Sequence, residues 1–172
     1  FRNKNSDLEQ VFESEKIRME IIRKVLRTGP FPGIGKGHPD LYKAFFWRFW
    51  HLSVQDKGFI GVVLPRSVLS AKGSEIFRKK ILYEADLVDA TTLLNTGKWV
   101  FDMEARYTIV LLVIAKHINP NPQVRLCGPF NGLENFNKGV KKNSARFLGE
   151  EILSWTEPAI FPLLPTSESA AL

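Results

Sequence analysis

Cysteine and long hydrophobic runs are almost absent from this 172-residue chain. Cys127 is the single cysteine, which excludes an intrachain disulfide framework and a cysteine-based zinc cluster and agrees with a reducing compartment. The longest apolar run, residues 107–115, is far shorter than the roughly 18 residues that span a bilayer, and the N-terminal stretch does not resemble a signal peptide. We therefore predict a cytoplasmic protein with no membrane partner.

The composition indicates a globular domain with an anionic partner. Apolar residues make up 44% and aromatic residues 12% of the chain, which is enough to build a dense core and argues against disorder. The formal net charge is +6 with a pI near 9.5, which favours a polyanion such as nucleic acid as partner. The basic residues are scattered along the chain, so charge alone does not decide the matter.

Three motifs that would indicate a nucleotide, a metal or a nuclease site are incomplete. Residues 33–37 are glycine-rich, but they lack the P-loop spacing, and no strand precedes them, so a flexible linker is the preferred interpretation. His38, His51 and His117 share no ligand spacing. Asp40 follows a proline, yet no acidic-x-Lys triplet follows downstream to complete a nuclease carboxylate set.

Apolar periodicity predicts helices and strands in alternation. A helix is expected over residues 7–27, a Gly/Pro loop over 28–38, and a deeply buried aromatic helix from 39 to about 50. A strand covered on both faces follows at 59–64, then a helix at 74–83 and strands at 86–94 and 106–116. We predict an α/β fold with three parts: a helical extension (1–38), an α/β half-domain (39–116) and a peripheral, partly irregular segment (117–172).

The order of several short motifs resembles a known enzyme family. Asp40-Leu-Tyr opens the aromatic helix, Gly58-x-x-Gly-x-Val-Leu-Pro forms the next strand, and an aromatic residue follows an apolar one at Val100-Phe101 before the last strand. Over residues 39–116 this is similar to the later half of the catalytic domain in adenine-N6 DNA methyltransferases of restriction-modification systems. The resemblance implies part of a class I, Rossmann-like, S-adenosylmethionine-dependent fold.

The same resemblance implies that the catalytic parts lie elsewhere. The family's cofactor strand, with its Gly-rich turn, and its Asn/Asp-Pro-Pro-aromatic tetrapeptide would precede residue 1, and the Asn-Pro repeat at 119–122 does not replace the tetrapeptide. We therefore expect a fragment that is inactive alone and binds no S-adenosylmethionine. The missing N-terminal half and DNA are its expected partners. Phe101 is the candidate for stacking on an adenine extruded from the duplex.

Two other functions remain open. The chain could be a non-catalytic nucleic-acid-binding module, with phosphate contacts from basic residues near the helix after the first strand. It could also be a structural interaction domain that uses the aromatic helix and an unpaired sheet edge. The candidate phosphate-binding residues are Arg66, Lys72, Arg78, Lys79, Lys80 and Lys98.

Overall fold

Six helices and five strands are formed in a computed structural model that describes residues 6–34, 40–116 and 122–171. Predictions for the end of the glycine-rich stretch (35–37), His38, Pro39, His117 and the Asn-Pro repeat at 119–121 lie outside these residues. The helices are α1 (Ser6–Thr28), α2 (Leu41–Leu52), α3 (Ser67–Ser70), α4 (Glu75–Glu84), α5 (Leu133–Gly139) and α6 (Gly149–Trp155). The strands are β1 (Gly58–Pro65), β2 (Leu87–Leu94), β3 (Thr108–Lys116), β4 (Gln123–Phe130) and β5 (Ser144–Leu148).

The strands form one mixed sheet in the order β1-β3-β2-β4-β5. β3 lies antiparallel to both β1 and β2, β4 runs parallel to β2, and β5 is antiparallel to β4. β1 and β2 are therefore parallel to each other, with β3 between them. The α/β fold predicted from the sequence is confirmed, and β2 and β3 form a hairpin joined by residues 95–107.

The helices cover mainly one face of the sheet. Ile60, Val88, Ile114 and Val124 lie in one row across four strands and are buried with aromatic residues of α2 and apolar residues of α3, α4 and α6. A smaller cluster is built around Leu93, Ile109, Cys127 and Phe130. The first three alternate with that row, and a register shift in β4 pairs Phe130 with Leu93, so the cluster lies toward the opposite face. Its cover comes from α5 and from the connection between β2 and β3.

Two elements are less buried than the sequence predicts. β1 is covered on one face only, because Ile60 and Leu64 are buried while Phe59 and Val63 are exposed. The aromatic block of α2 is divided in the same way. Its core-facing side chains (Phe46, Trp47 and Trp50) are buried, and its outer ones (Leu41, Phe45, Phe49 and Leu52) are exposed. The prediction of a deeply buried helix is therefore wrong for half of α2.

The C-terminal segment is more regular than the sequence indicates. β4 lies within the sheet against β2, and its Val124, Leu126 and Phe130 side chains are buried. β5 and α6 follow it, and Ile152 of α6 joins the main core. The expectation of a peripheral, partly irregular segment is thus corrected for residues 123–155. The division of the chain into three parts stays a prediction.

The described part of the Gly/Pro loop, residues 29–34, is irregular as predicted but is not a loose linker. The indole N–H of Trp47 donates to the carbonyl of Pro32 at 2.7 Å, and Ile34 is fully buried. Residues 29–34 are therefore held against α2.

Candidate functional site

The connection between β2 and β3 places Phe101 at the carboxyl end of the sheet. β1 and β2 are parallel, so their carboxyl ends lie at the same edge, and residues 95–107 leave β2 at that edge before β3 begins. Ligands of open α/β sheets bind outside the carboxyl ends of the strands. The connection is therefore placed where such a fold would hold a ligand.

Asn95 fixes the backbone of this connection from inside the protein. Its side chain is fully buried, and its Oδ1 accepts hydrogen bonds from the backbone N–H groups of Val100 and Phe101 at 3.1 and 3.2 Å. Its Nδ2 donates to the carbonyl of Phe101 at 2.9 Å. One side chain thus holds both polar groups of the Phe101 backbone. The sequence indicates Asn95 only as a turn residue, although an asparagine before Thr-Gly is typical of side-chain-supported turns.

A second anchor is Trp99, which fills the space under the connection. Its indole N–H donates to the carbonyl of Leu94 at 2.6 Å, and its ring lies 6.4 Å from that of Phe136 on α5. Gly97 has a positive φ of 73°, a conformation that glycine adopts without steric cost. With Asn95 and Trp99 fixed inward, the Phe101 side chain is left facing out, and it is 46% exposed.

Phe101 borders an apolar pocket of about 330 Å³. This volume lies at the lower end of the range of roughly 300 to 1,000 Å³ for small-molecule sites. The pocket is lined by the end of β1, by the connection and by the start of β3: Val63, Leu64, Pro65, Phe101, Met103, Tyr107, Thr108 and Ile109. An exposed aromatic ring beside an apolar wall can stack on a planar ligand.

The structure removes Arg78 from the candidate phosphate contacts. Its guanidinium is fully buried and donates to the carbonyls of Val68, Ala71, Pro158 and Ala159 at 2.8 to 3.1 Å. Burial lowers the pKa of Arg78, while the charge of Glu75 acts in the opposite direction. Arg78 therefore ties α3 and α4 to the C-terminal segment. One signal in the sequence indicates that Arg78 points inward. It lies one helical turn before the apolar residue Leu82, which is also buried, so the two side chains share a face of α4.

The other basic candidates fall into two groups. Lys79, Lys80 and Lys98 each form an ion pair four residues away, with Glu75, Glu84 and Asp102 respectively. Arg66 is half-buried and Lys72 is exposed, and burial lowers the pKa of the Arg66 guanidinium. The role of these five residues in phosphate contact stays a prediction.

No metal site is found in the parts of the chain that the structure describes. No group of His, Cys, Asp or Glu among these residues is arranged to hold a metal ion, and His51 contacts the carbonyl of Pro30 at 3.1 Å. The lining of the pocket at Phe101 includes no charged side chain. It therefore does not fit S-adenosylmethionine, whose amino-acid end carries two charges. Within the described ranges, no helix combines the length and the hydropathy that a membrane span requires.

Comparison with known proteins supports the fold. No protein-family model and no curated protein sequence matches this chain. Among solved structures, it is similar to a type I restriction-modification methyltransferase subunit from Streptococcus thermophilus, with a TM-score of 0.51 and 21% identity over 74% of this chain and 30% of that one. The type IIG restriction endonuclease BpuSI matches at a TM-score of 0.46 and 17% identity, over 74% and 16% of the respective chains.

A third match is the ATP-dependent type ISP restriction-modification enzyme LlaBIII, with a TM-score of 0.44 and 16% identity over 62% of this chain and 8% of that one. This chain thus spans less than a third of the length of each of the three proteins. At these identities the likeness to the methyltransferase subunit establishes the partial Rossmann-like fold and no more.

Proposed function

We propose that this chain is the later half of the catalytic domain of a DNA adenine-N6 methyltransferase from a restriction-modification system. In this proposal it supplies the wall against which an extruded adenine stacks, and Phe101 is the stacking residue. The intact enzyme transfers a methyl group from S-adenosylmethionine to that adenine. The observation that carries the proposal is the exposed Phe101 ring beside an apolar pocket at the carboxyl end of the sheet.

The chemistry of the reaction assigns the remaining tasks to another part of the enzyme. The amino group of adenine is conjugated with its ring, so polar acceptors must hold its hydrogens while the nitrogen attacks the methyl group. The side chains that line the pocket include no carboxylate and no carboxamide, and their oxygen acceptors are the hydroxyl groups of Tyr107 and Thr108. The family's tetrapeptide is absent from this sequence. Since the pocket also does not fit the cofactor, this chain alone is expected to be inactive.

The free edge of the sheet supports the presence of a second half. Within the described residues, β1 pairs with β3 on one side and with no strand on the other. Phe59 and Val63 expose large apolar side chains on the face of β1 that the helices do not cover. An exposed, apolar edge strand is a template for pairing with another segment. In this proposal the cofactor-binding half continues the sheet from β1.

The test measures binding of short single-stranded oligonucleotides that contain one adenine or, as a control, one abasic site. Phe101→Ala should weaken the adenine-dependent part of the binding by about 1 to 3 kcal/mol of lost stacking, and Phe101→Trp should retain most of it. Phe45→Ala is the matched control, because Phe45 is also an exposed phenylalanine but lies on α2. Chemical shifts of the Met103 methyl group report on binding at the pocket.

Two results would contradict the proposal. One is an adenine-dependent affinity that Phe101→Ala leaves unchanged. The other is an equal loss of binding in the alanine and tryptophan variants together with lower thermal stability, which would identify Phe101 as a packing residue. In an intact enzyme that contains this segment, Phe101→Ala should slow methyl transfer and Phe101→Trp should preserve most of it.

A further inference from the structure

The helix α1 projects from the body of the protein with almost no packing of its own. All residues from 7 to 25 are exposed, and Leu26 is the one buried side chain among the described residues of α1. Helices in proteins owe most of their stability to the packing of an amphipathic face. A helix of 23 residues without such packing therefore needs a partner for its apolar side chains.

The apolar side chains of α1 are not distributed evenly around it. Successive helical residues are separated by about 100°, so residues at spacings of three, four and seven share a face. An apolar stripe therefore runs along the helix, whereas Ile17 and Ile21 lie on the other side. The stripe consists of Leu8, Val11, Phe12, Met19, Ile22 and Leu26, of which all except Leu26 are exposed. Glu15 interrupts it between Phe12 and Met19 and forms an ion pair with Arg18.

The charges of α1 are separated along its length. Residues 6–15 have a net charge of −4 and contain no basic residue, whereas residues 16–28 have a net charge of +4. The ion pairs Lys16–Glu13 and Arg18–Glu15 bridge the middle of the helix, at 3.4 and 3.5 Å. The two ends of the helix therefore differ in sign.

We propose that two copies of this chain associate through the apolar stripe of α1, with the two helices antiparallel. In this orientation the acidic half of each helix lies against the basic half of the other. A parallel pair would instead place acidic on acidic and basic on basic. At 100° per residue, Glu9, Arg23 and Arg27 all lie on the same flank of the stripe. An antiparallel pair brings this flank of one copy next to the same flank of the other. Glu9 of each copy then lies on the side that carries Arg23 and Arg27 of its partner. The contact is self-complementary, as a two-fold symmetric interface requires.

The apolar part of the proposal is tested by sedimentation equilibrium of the full chain. Phe12→Gln, in the stripe, should weaken self-association by at least about tenfold, a change that corresponds to 1.4 kcal/mol. Ile17→Gln, on the opposite side of the same helix, should leave it unchanged. Phe12 and Ile17 are 64% and 56% exposed, so the two substitutions differ mainly in the face that they alter.

The orientation is tested by reversing charges in one half at a time. Glu9→Lys with Glu13→Lys, or Arg23→Glu with Arg27→Glu, should each weaken self-association, because either pair brings the net charge of one half to zero and removes its attraction for the other half. Mixing the two double variants should restore association as a heterodimer. Glu104→Lys with Glu134→Lys changes the net charge as much as the first pair but lies outside α1, and it should have no effect.

Three outcomes would overturn the proposal. A chain that stays monomeric up to about 100 μM, where specific association in the micromolar range would be visible, leaves the stripe to a different partner. Equal effects of Phe12→Gln and Ile17→Gln would exclude the stripe as the interface. A charge-reversed variant that self-associates as tightly as the unchanged chain would exclude the antiparallel arrangement, because only in that arrangement does the altered half face charge of the opposite sign. None of these results bears on the stacking role of Phe101.

Discussion

Replacing Asn95 tests whether the pocket at Phe101 is held in place from inside the protein. The Asn95→Ala substitution removes three hydrogen bonds at 2.9 to 3.2 Å. It leaves the N–H groups of Val100 and Phe101 and the carbonyl of Phe101 without these partners. Each such bond contributes about 0.5 to 1.5 kcal/mol net, and a buried group left unsatisfied costs about 1 to 3 kcal/mol.

The expected loss depends on what the connection does after the substitution. If residues 95–107 keep their path, the three bonds together predict a decrease in unfolding free energy of about 2 to 4 kcal/mol. If the connection detaches instead, the decrease is smaller, and the protection of the Val100 and Phe101 amides against hydrogen exchange is lost. Urea unfolding measures the first quantity, and exchange followed by NMR measures the second.

A matched control is Asn135→Ala, since Asn135 is exposed and its side chain donates a single hydrogen bond, to Asn131 at 2.7 Å. It should change the unfolding free energy by less than about 0.5 kcal/mol. The reasoning fails if Asn95→Ala behaves like this control in both assays. It also fails if the Asn95 variant loses stability but Phe101 keeps its amide protection, because Asn95 would then stabilise the core and not the connection.

Three further predictions concern the rest of the chain. Arg78→Met should lower the unfolding free energy by about 3 kcal/mol or more, since four carbonyls lose a charged donor. The control Arg106→Met, at an exposed ion pair, should change it by less than about 1 kcal/mol. Similar values for the two variants would contradict the structural role of Arg78. Any DNA affinity should weaken steeply with salt, and replacing both Arg66 and Lys72 by alanine should flatten the log–log salt dependence by about 2; an unchanged slope would place the contacts elsewhere. Titration calorimetry with S-adenosylmethionine should show no binding, and a micromolar dissociation constant would refute this.

The elements of the sheet between residues 58 and 116 could be predicted from the sequence, whereas their surroundings could not. The apolar run at β1 is typical of a strand, but a run of apolar residues does not reveal whether this chain covers both of its faces. β4 was missed because Arg125, Gly128 and Pro129 interrupt its apolar pattern. Its pairing with β2 depends on a contact between segments more than 30 residues apart, which local patterns do not encode.

For the candidate site, the sequence indicates Phe101 but not the residues that support it. The structure places Phe101, with 46% of its surface exposed, beside the end of β1, and its stacking role stays a prediction. The contribution of Asn95 depends on the path of a backbone that folds back over it. A basic run at residues 78–80 indicates an exposed charged surface. Only the packing of α4 shows that Arg78 points inward while its two neighbours form ion pairs.

The hydrogen bonds of Arg78 also have a consequence for the order in which this protein can assemble. Two of its four carbonyl partners belong to Pro158 and Ala159, about 80 residues further along the chain. While the chain is being synthesised from its N-terminus, α4 is complete long before these carbonyls exist. Until then the guanidinium of Arg78 must remain hydrated, and this keeps the inner side of α4 away from the core. The segment that contains Pro158 and Ala159 is therefore the one that allows α4 to close, and a messenger truncated before residue 158 would encode an open intermediate prone to aggregation.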